Sequence, residues 1–183
     1  MKTFTAKMTL KRLVILSFLL GLQILLSNLA IGNHIFRIST VFIPNVLIGL
    51  VAGPLGAAVI LAFADIVGAI LSGAAFFPGF TLSAFIVGIL YGLFFYQRQL
   101  DLKNKRHWLI VFGAVTVIML VDSTFFNSMW VTMMIPNADF SLFLRLVSMR
   151  SLLLLQIPLQ TALIMLVVSK LQSIKSIDTL MSV

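Results

Sequence analysis

The sequence predicts an all-α membrane protein of six spanning helices, and three observations point there. The first is hydropathy: 61% of the 183 residues are hydrophobic and only 10% are charged, whereas a soluble domain carries about 25% charged residues. Several apolar runs approach the ~20 residues that a helix needs to cross a bilayer. The second is the placement of charge. The basic residues collect at the ends of the apolar runs and accompany no polar domain, as membrane topology signals do, so the net charge of +8 does not indicate a nucleic-acid surface. The third is punctuation, because Gly, Pro and Asn clusters separate the runs at short intervals. There is no Cys, which excludes disulfides and thiolate metal sites. The whole of 1–183 reads as one transmembrane domain.

Lys2, Lys7, Lys11 and Arg12 precede the first span, 13–31. A basic start before an apolar stretch resembles a signal peptide, but no small-x-small cleavage site closes it and five more spans follow, so it reads as a retained helix. Gly32-Asn33-His34 ends it. The second span, 35–52, contains Arg37 and Pro44, and Gly53-Pro54 turns the chain into the third, 55–71. The segment Phe76-Phe77-Pro78-Gly79-Phe80-Thr81 leads into the fourth, 80–96. Its Pro-Gly pair marks a reversal, since Pro fixes φ and Gly permits the positive φ that can follow. A polar segment, 97–107, precedes the fifth span, 108–134. Pro136-Asn137-Ala138-Asp139 turns into the sixth, 142–170.

Six spans place both termini on one side. The N-terminal arm holds four basic residues, the 97–107 loop four, and the tail two (Lys170 and Lys175), against only Arg37, Arg145 and Arg150 elsewhere. The positive-inside rule then sets both termini in the cytoplasm. The connections 32–40, 72–79 and 136–149 face outward.

Ionised side chains at membrane depth cost roughly 2.5–3.5 kcal/mol on insertion scales, so each is a functional candidate. Arg37 and Arg150 lie towards the outer ends of their spans, where topology does not favour positive charge. They suggest an external anion, since the planar guanidinium fork matches a carboxylate. Arg145, near a boundary, reads either this way or as a snorkelling residue. Asp65 and Asp122 lie inside spans and could pair with an Arg or accept hydrogen bonds from an amino-substituted heterocycle. Asn127 and Trp130, three apart, share a helical face. An amide beside an indole suits a flat ring with a polar edge, although an interfacial Trp also anchors helices. Gln156 and Gln160 flank Pro158, where they can satisfy backbone freed by the proline. Small residues at Ser17 and Gly21, and at Gly53, Ala57, Ala58, Ala64 and Gly68, permit close helix approach. There is no phosphate-binding Gly-rich loop and no nucleophile–base pair, so neither enzymatic activity nor a cofactor or metal is expected. The chain reads as a binding subunit that draws its power from elsewhere.

Gly53-Pro54-Leu55-Gly56, Ala64-Asp65-Ile66-Val67-Gly68 and Phe77-Pro78-Gly79-Phe80-Thr81-Leu82-Ser83-Ala84 resemble the substrate-binding S components of energy-coupling-factor (ECF) vitamin transporters. Arg37-Ile38-Ser39 with Phe42-Ile43-Pro44, and Met149-Arg150 before Ile157-Pro158, are most similar to the folate-specific branch. The resemblance covers nearly the whole chain. It implies a six-helix bundle in a prokaryotic plasma membrane, with an externally open pocket that outer loops close over folate. It also implies docking on a transmembrane coupling subunit driven by two cytoplasmic ATPases, and release inward by reorientation in the bilayer. On this resemblance the expected substrate residues are Arg37, Asp65, Phe77, Phe80, Thr81, Asn127, Trp130 and Arg150, and the expected docking residues on the first helix are Ser17 and Gly21. The alternatives are an S component for another flat vitamin (thiamine, riboflavin or a pyridoxine-type ring) and a non-transport membrane assembly protein. The outward arginines argue against a cationic vitamin such as thiamine.

Overall fold

The computed structural model describes residues 9–28, 31–32, 37–38, 40–73 and 76–173. The basic arm before Thr9, His34, Lys175 and the Arg37 side chain lie outside the described residues. Among the described residues, five helices are long and apolar enough to cross a membrane: α1 (Leu10–Asn28), α2 (Phe42–Ser72), α3 (Pro78–Phe95), α4 (Lys105–Met134) and α5 (Phe140–Gln172). Between α1 and α2, Ile31–Gly32 and Arg37–Ile38 pair antiparallel as two short strands, β1 and β2.

The expected second and third spans fall within α2. The expected start at residue 35 moves to Phe42, because Arg37 and Ile38 lie in β2. The expected turn survives as a break: Gly53 is non-helical, with φ 73° and ψ −177°, a region essentially restricted to glycine. Pro54 then restarts the helix, where its missing N–H is harmless. Pro44 sits in the first turn for the same reason.

Both halves of α2 pack on α3, which is the most extensive helix pair in the bundle. A Cβ built at Gly49 would lie 2.7 Å from the Tyr91 carbonyl carbon, and one at Gly88 would lie 2.5 Å from Ala58 Cα. Gly92 meets the Pro54 backbone in the same way. Ala57, Ala58 and Ala64 are buried along this seam, so the small-residue stripe of the sequence serves packing within the bundle. In lipid, where apolar side chains gain little by leaving their surroundings, such close backbone approach supplies much of the attraction.

Asn104 caps α4 by accepting a hydrogen bond from the Arg106 N–H at 3.0 Å. Asp139 caps α5, accepting from the Ser141 hydroxyl at 2.8 Å and the Leu142 N–H at 3.1 Å. These two bonds hold its carboxyl below the usual carboxylate range. The cap is therefore intact at neutral pH and weakens as pH falls through that lowered value. Two further irregularities interrupt the long helices, a π-helical stretch at Leu120–Phe126 in α4 and a 3₁₀ stretch at Leu152–Gln156 ahead of Pro158 in α5. At the end of the bundle holding the 97–107 segment, the Gln172 amide accepts from the Leu100 N–H and donates to the Arg98 carbonyl, both at 2.8 Å.

The seam yields a test. Gly88→Ala should lower stability by about 1–3 kcal/mol, the usual cost of overpacking, because its Cβ meets backbone that cannot step aside. Gly113→Ala, where a Cβ meets nothing within 4 Å, should be neutral or slightly stabilising. Thermal unfolding of the two variants in detergent compares them.

Candidate functional site

The turn Phe76–Gly79 and the first turns of α3 face the last turns of α4. Phe77, extended at φ −127° and ψ 116°, is the N-cap of α3, and Pro78 is its first residue. This geometry brings Phe77 against Phe80, with ring centroids 5.9 Å apart in an edge-to-face arrangement, and against Trp130 at 5.8 Å. Such aromatic pairs each contribute about 0.5–1.5 kcal/mol beyond their buried area. The other neighbour of Trp130 is Phe126, whose ring lies parallel to the indole within 5° at 6.0 Å. Three of the sequence-predicted residues, Phe77, Phe80 and Trp130, thus form one aromatic wall.

Beside this wall, Thr81 donates its hydroxyl hydrogen to Asp65 Oδ2 at 2.7 Å. The bond joins the first turn of α3 to the C-terminal half of α2. Thr81 is also a predicted site residue, so two further members of the set meet directly. Asp65 is half-buried and keeps its second carboxyl oxygen available in that geometry. Asp122 is within electrostatic reach of both Asp65 and Arg150. Arg150 is only 3% exposed, and its Nη1 donates to the Ser123 carbonyl at 3.4 Å. Two carboxylates and a guanidinium are thus in electrostatic reach through Asp122. Asn127 begins the α-helical turn that ends in Trp130, as the three-residue spacing implied. Arg37 contributes its backbone to β2 opposite Gly32.

Gly79, Ser83, Ser123 and Phe126 also touch these side chains and are not among the site residues expected from the sequence. Ser83 is 4% exposed, accepts the Trp130 indole N–H at 2.6 Å and donates to the Gly79 carbonyl at 3.2 Å. The spacing of Phe126 and Trp130, four apart, was a usable signal for a shared face. The π-helical stretch ending at Phe126 was not readable from hydropathy, and Ser123 matters only because that stretch turns its carbonyl towards Arg150.

A cavity of about 340 Å³ lies at the opposite end of the bundle among Gln99, Leu100, Asp101, His107 and the last turn of α5. Its polar groups are engaged with one another: His107 Nδ1 accepts from the Asp101 N–H at 2.9 Å, and Gln172 is held by Leu100 and Arg98. It also lacks the stacked aromatic rings that Phe77, Phe126 and Trp130 bring together between α3 and α4. Among the described residues, no group of three His, Cys, Asp or Glu side chains could hold a metal ion.

The sequence profile of the family "ECF transporter, substrate-specific component" matches residues 11–174. The chain belongs to this family. It is accordingly a transporter subunit that spans the membrane several times, and not an enzyme. Its relatives include the folate transporter FolT of Streptococcus mutans, 41% identical over 128 residues covering 68% of this chain and 69% of the relative. The FolT of Leuconostoc mesenteroides is 33% identical over 146 residues, covering 79% of this chain and 76% of the relative. Among solved structures, the fold is similar to that of a FolT crystallised with folic acid, with a TM-score of 0.73 and 28% identity over 88% of this chain and 95% of that one.

The hydrogen bond joining α2 to α3 is testable. Thr81→Val leaves a half-buried carboxyl oxygen without its donor and should cost about 1–3 kcal/mol, whereas Thr81→Ser should keep most of the stability. Denaturation midpoints of the two purified variants decide between them.

Proposed function

We propose that this chain is the folate-capturing S component of an ECF-type importer, forming a single substrate-binding domain over its full length. The likeness to a folic-acid-bound FolT, extending over 88% of the chain, carries the reading, and the chemistry of the α3–α4 cleft supports it. Folate presents a flat pterin with a hydrogen-bonding edge, an aminobenzoyl ring and a glutamate with two carboxylates. In the proposal, Phe77, Phe80 and Trp130 wall the rings. Asp65, oriented by Thr81, reads the pterin edge, and Asn127 adds an amide partner. Arg150 and Arg37 supply donors to carbonyl or carboxylate oxygens.

The break at Gly53 serves as a reversal between two spans, giving six spans with both termini cytoplasmic in the plasma membrane. The cleft then opens outward, and the Gln97–His107 segment, with its four basic residues, faces the cytoplasm. Docking uses the outer face of α1. Ser17 and Gly21 are both exposed on one side of that helix, and a Cβ at Gly21 would meet nothing within 4 Å. A transmembrane coupling subunit can approach the backbone closely there, and its two ATPases supply the energy for reorientation.

Two experiments test this reading. Titration calorimetry on the detergent-purified chain should show folate binding, and Asp65→Asn should weaken it by about 1.5–3 kcal/mol, roughly tenfold to a hundredfold. Unchanged affinity in the variant would remove Asp65 from the site. Gly21→Trp should leave folate affinity intact yet abolish uptake in cells that supply the coupling module. A parallel loss of binding and uptake would place Gly21 elsewhere in the mechanism.

A further inference from the structure

We infer that Ser83 is a positioning residue for the binding cleft: it fixes the plane of the Trp130 indole and so determines how a flat ring stacks there. The inference deepens the proposed folate reading and rests on it for the identity of the ring.

A tryptophan that merely anchors a helix at the membrane interface turns its N–H towards headgroups and water. Trp130 does the opposite. Its indole N–H points into the bundle and donates to Ser83 Oγ at 2.6 Å, and that hydroxyl is itself buried. Ser83 passes its own hydrogen to the Gly79 carbonyl at 3.2 Å. The resulting relay, from indole to hydroxyl to backbone, gives Ser83 one donor and one acceptor role, so neither its oxygen nor its proton is left to rotate freely.

Two further constraints act on the same ring from different elements. Phe126 lies parallel to it within 5°, which sets its tilt. Gly79 leaves room for its six-membered edge: a Cβ there would lie 2.6 Å from Trp130 Cδ2 and 2.8 Å from Cε3. The indole therefore has its edge, face and flank each defined by a separate contact. Only the hydrogen bond is directional enough to fix rotation within the ring plane. Stacking of a planar ligand depends on the angle and offset between rings, so loss of this bond should spoil recognition without removing any surface that the ligand touches.

The test uses the full chain labelled with fluorotryptophan. Trp108 and Trp130 are the only indoles, and Trp130→Phe assigns the two fluorine resonances. In ligand-free protein, Ser83→Ala should shift and broaden the Trp130 resonance while leaving that of Trp108 in place, and it should raise the folate Kd about tenfold. Ser83→Thr, which keeps the hydroxyl, should restore both. Introduced into the Trp130→Phe chain, which has no indole N–H at this position, Ser83→Ala should change the folate Kd by less than about twofold, since coupled residues lose their effect when the partner is gone. An unmoved Trp130 resonance, an unchanged Kd in Ser83→Ala, or an equal loss in both backgrounds would overturn the inference. If the parent chain bound no folate at all, the proposed ligand would fail, and the ligand-free resonance would still decide whether Ser83 holds the ring.

Discussion

The close approach of α2 and α3 is the constraint on which the rest of the structure depends. Glycines at 49, 88 and 92 bring the two backbones together at distances that no side chain would allow. Because α3 is held so near, its first turn is set over the C-terminal half of α2, and Thr81 reaches Asp65. The same placement puts Phe77, Gly79 and Ser83 against the end of α4. A bundle assembled from bulky residues would have stood these helices further apart, and the carboxylate of Asp65 would have needed another partner at membrane depth.

Polar groups within the bilayer obey a stricter rule than those of a soluble core, because no water is available to complete their hydrogen bonding. Around Arg150 the chain meets part of it by local exchange. Arg150 turns a guanidinium N–H to the Ser123 carbonyl that the π-helical stretch of α4 presents, with Asp122 in electrostatic reach. The irregular helix and the buried cation are thus two parts of one arrangement. π-Helical turns are frequent where a helix carries function, and here the stretch ends at Phe126, whose ring defines one side of the aromatic cleft.

The spanning helices were legible in the sequence because hydropathy and charge placement report directly on the bilayer, and the small-residue stripe was legible because spacing reports on a helical face. The pairing of Phe77, Phe80 and Trp130 could be anticipated from aromatic residues at a Pro-Gly turn and near the end of a spanning helix. Other features depend on three-dimensional closure. The strand at Arg37–Ile38 was hidden within an apolar run that reads as helix. Ser83 stands in the sequence only as part of the Phe77–Ala84 motif, and the arrival of the indole from a helix 47 positions away gives its hydroxyl a partner. Gln172 was likewise unremarked, since its partners at Leu100 and Arg98 lie far back in the sequence.

That last residue has a mechanical consequence. One amide side chain ties the foot of α5 to the segment leaving α3, a few residues before α4 begins. Trp108 reinforces the joint by donating its indole N–H to the Leu102 carbonyl at 3.0 Å. Three helix feet are thereby pinned to a common plate at the end of the bundle remote from the aromatic cleft. A force applied to any one of them is therefore passed through side-chain hydrogen bonds to the other two.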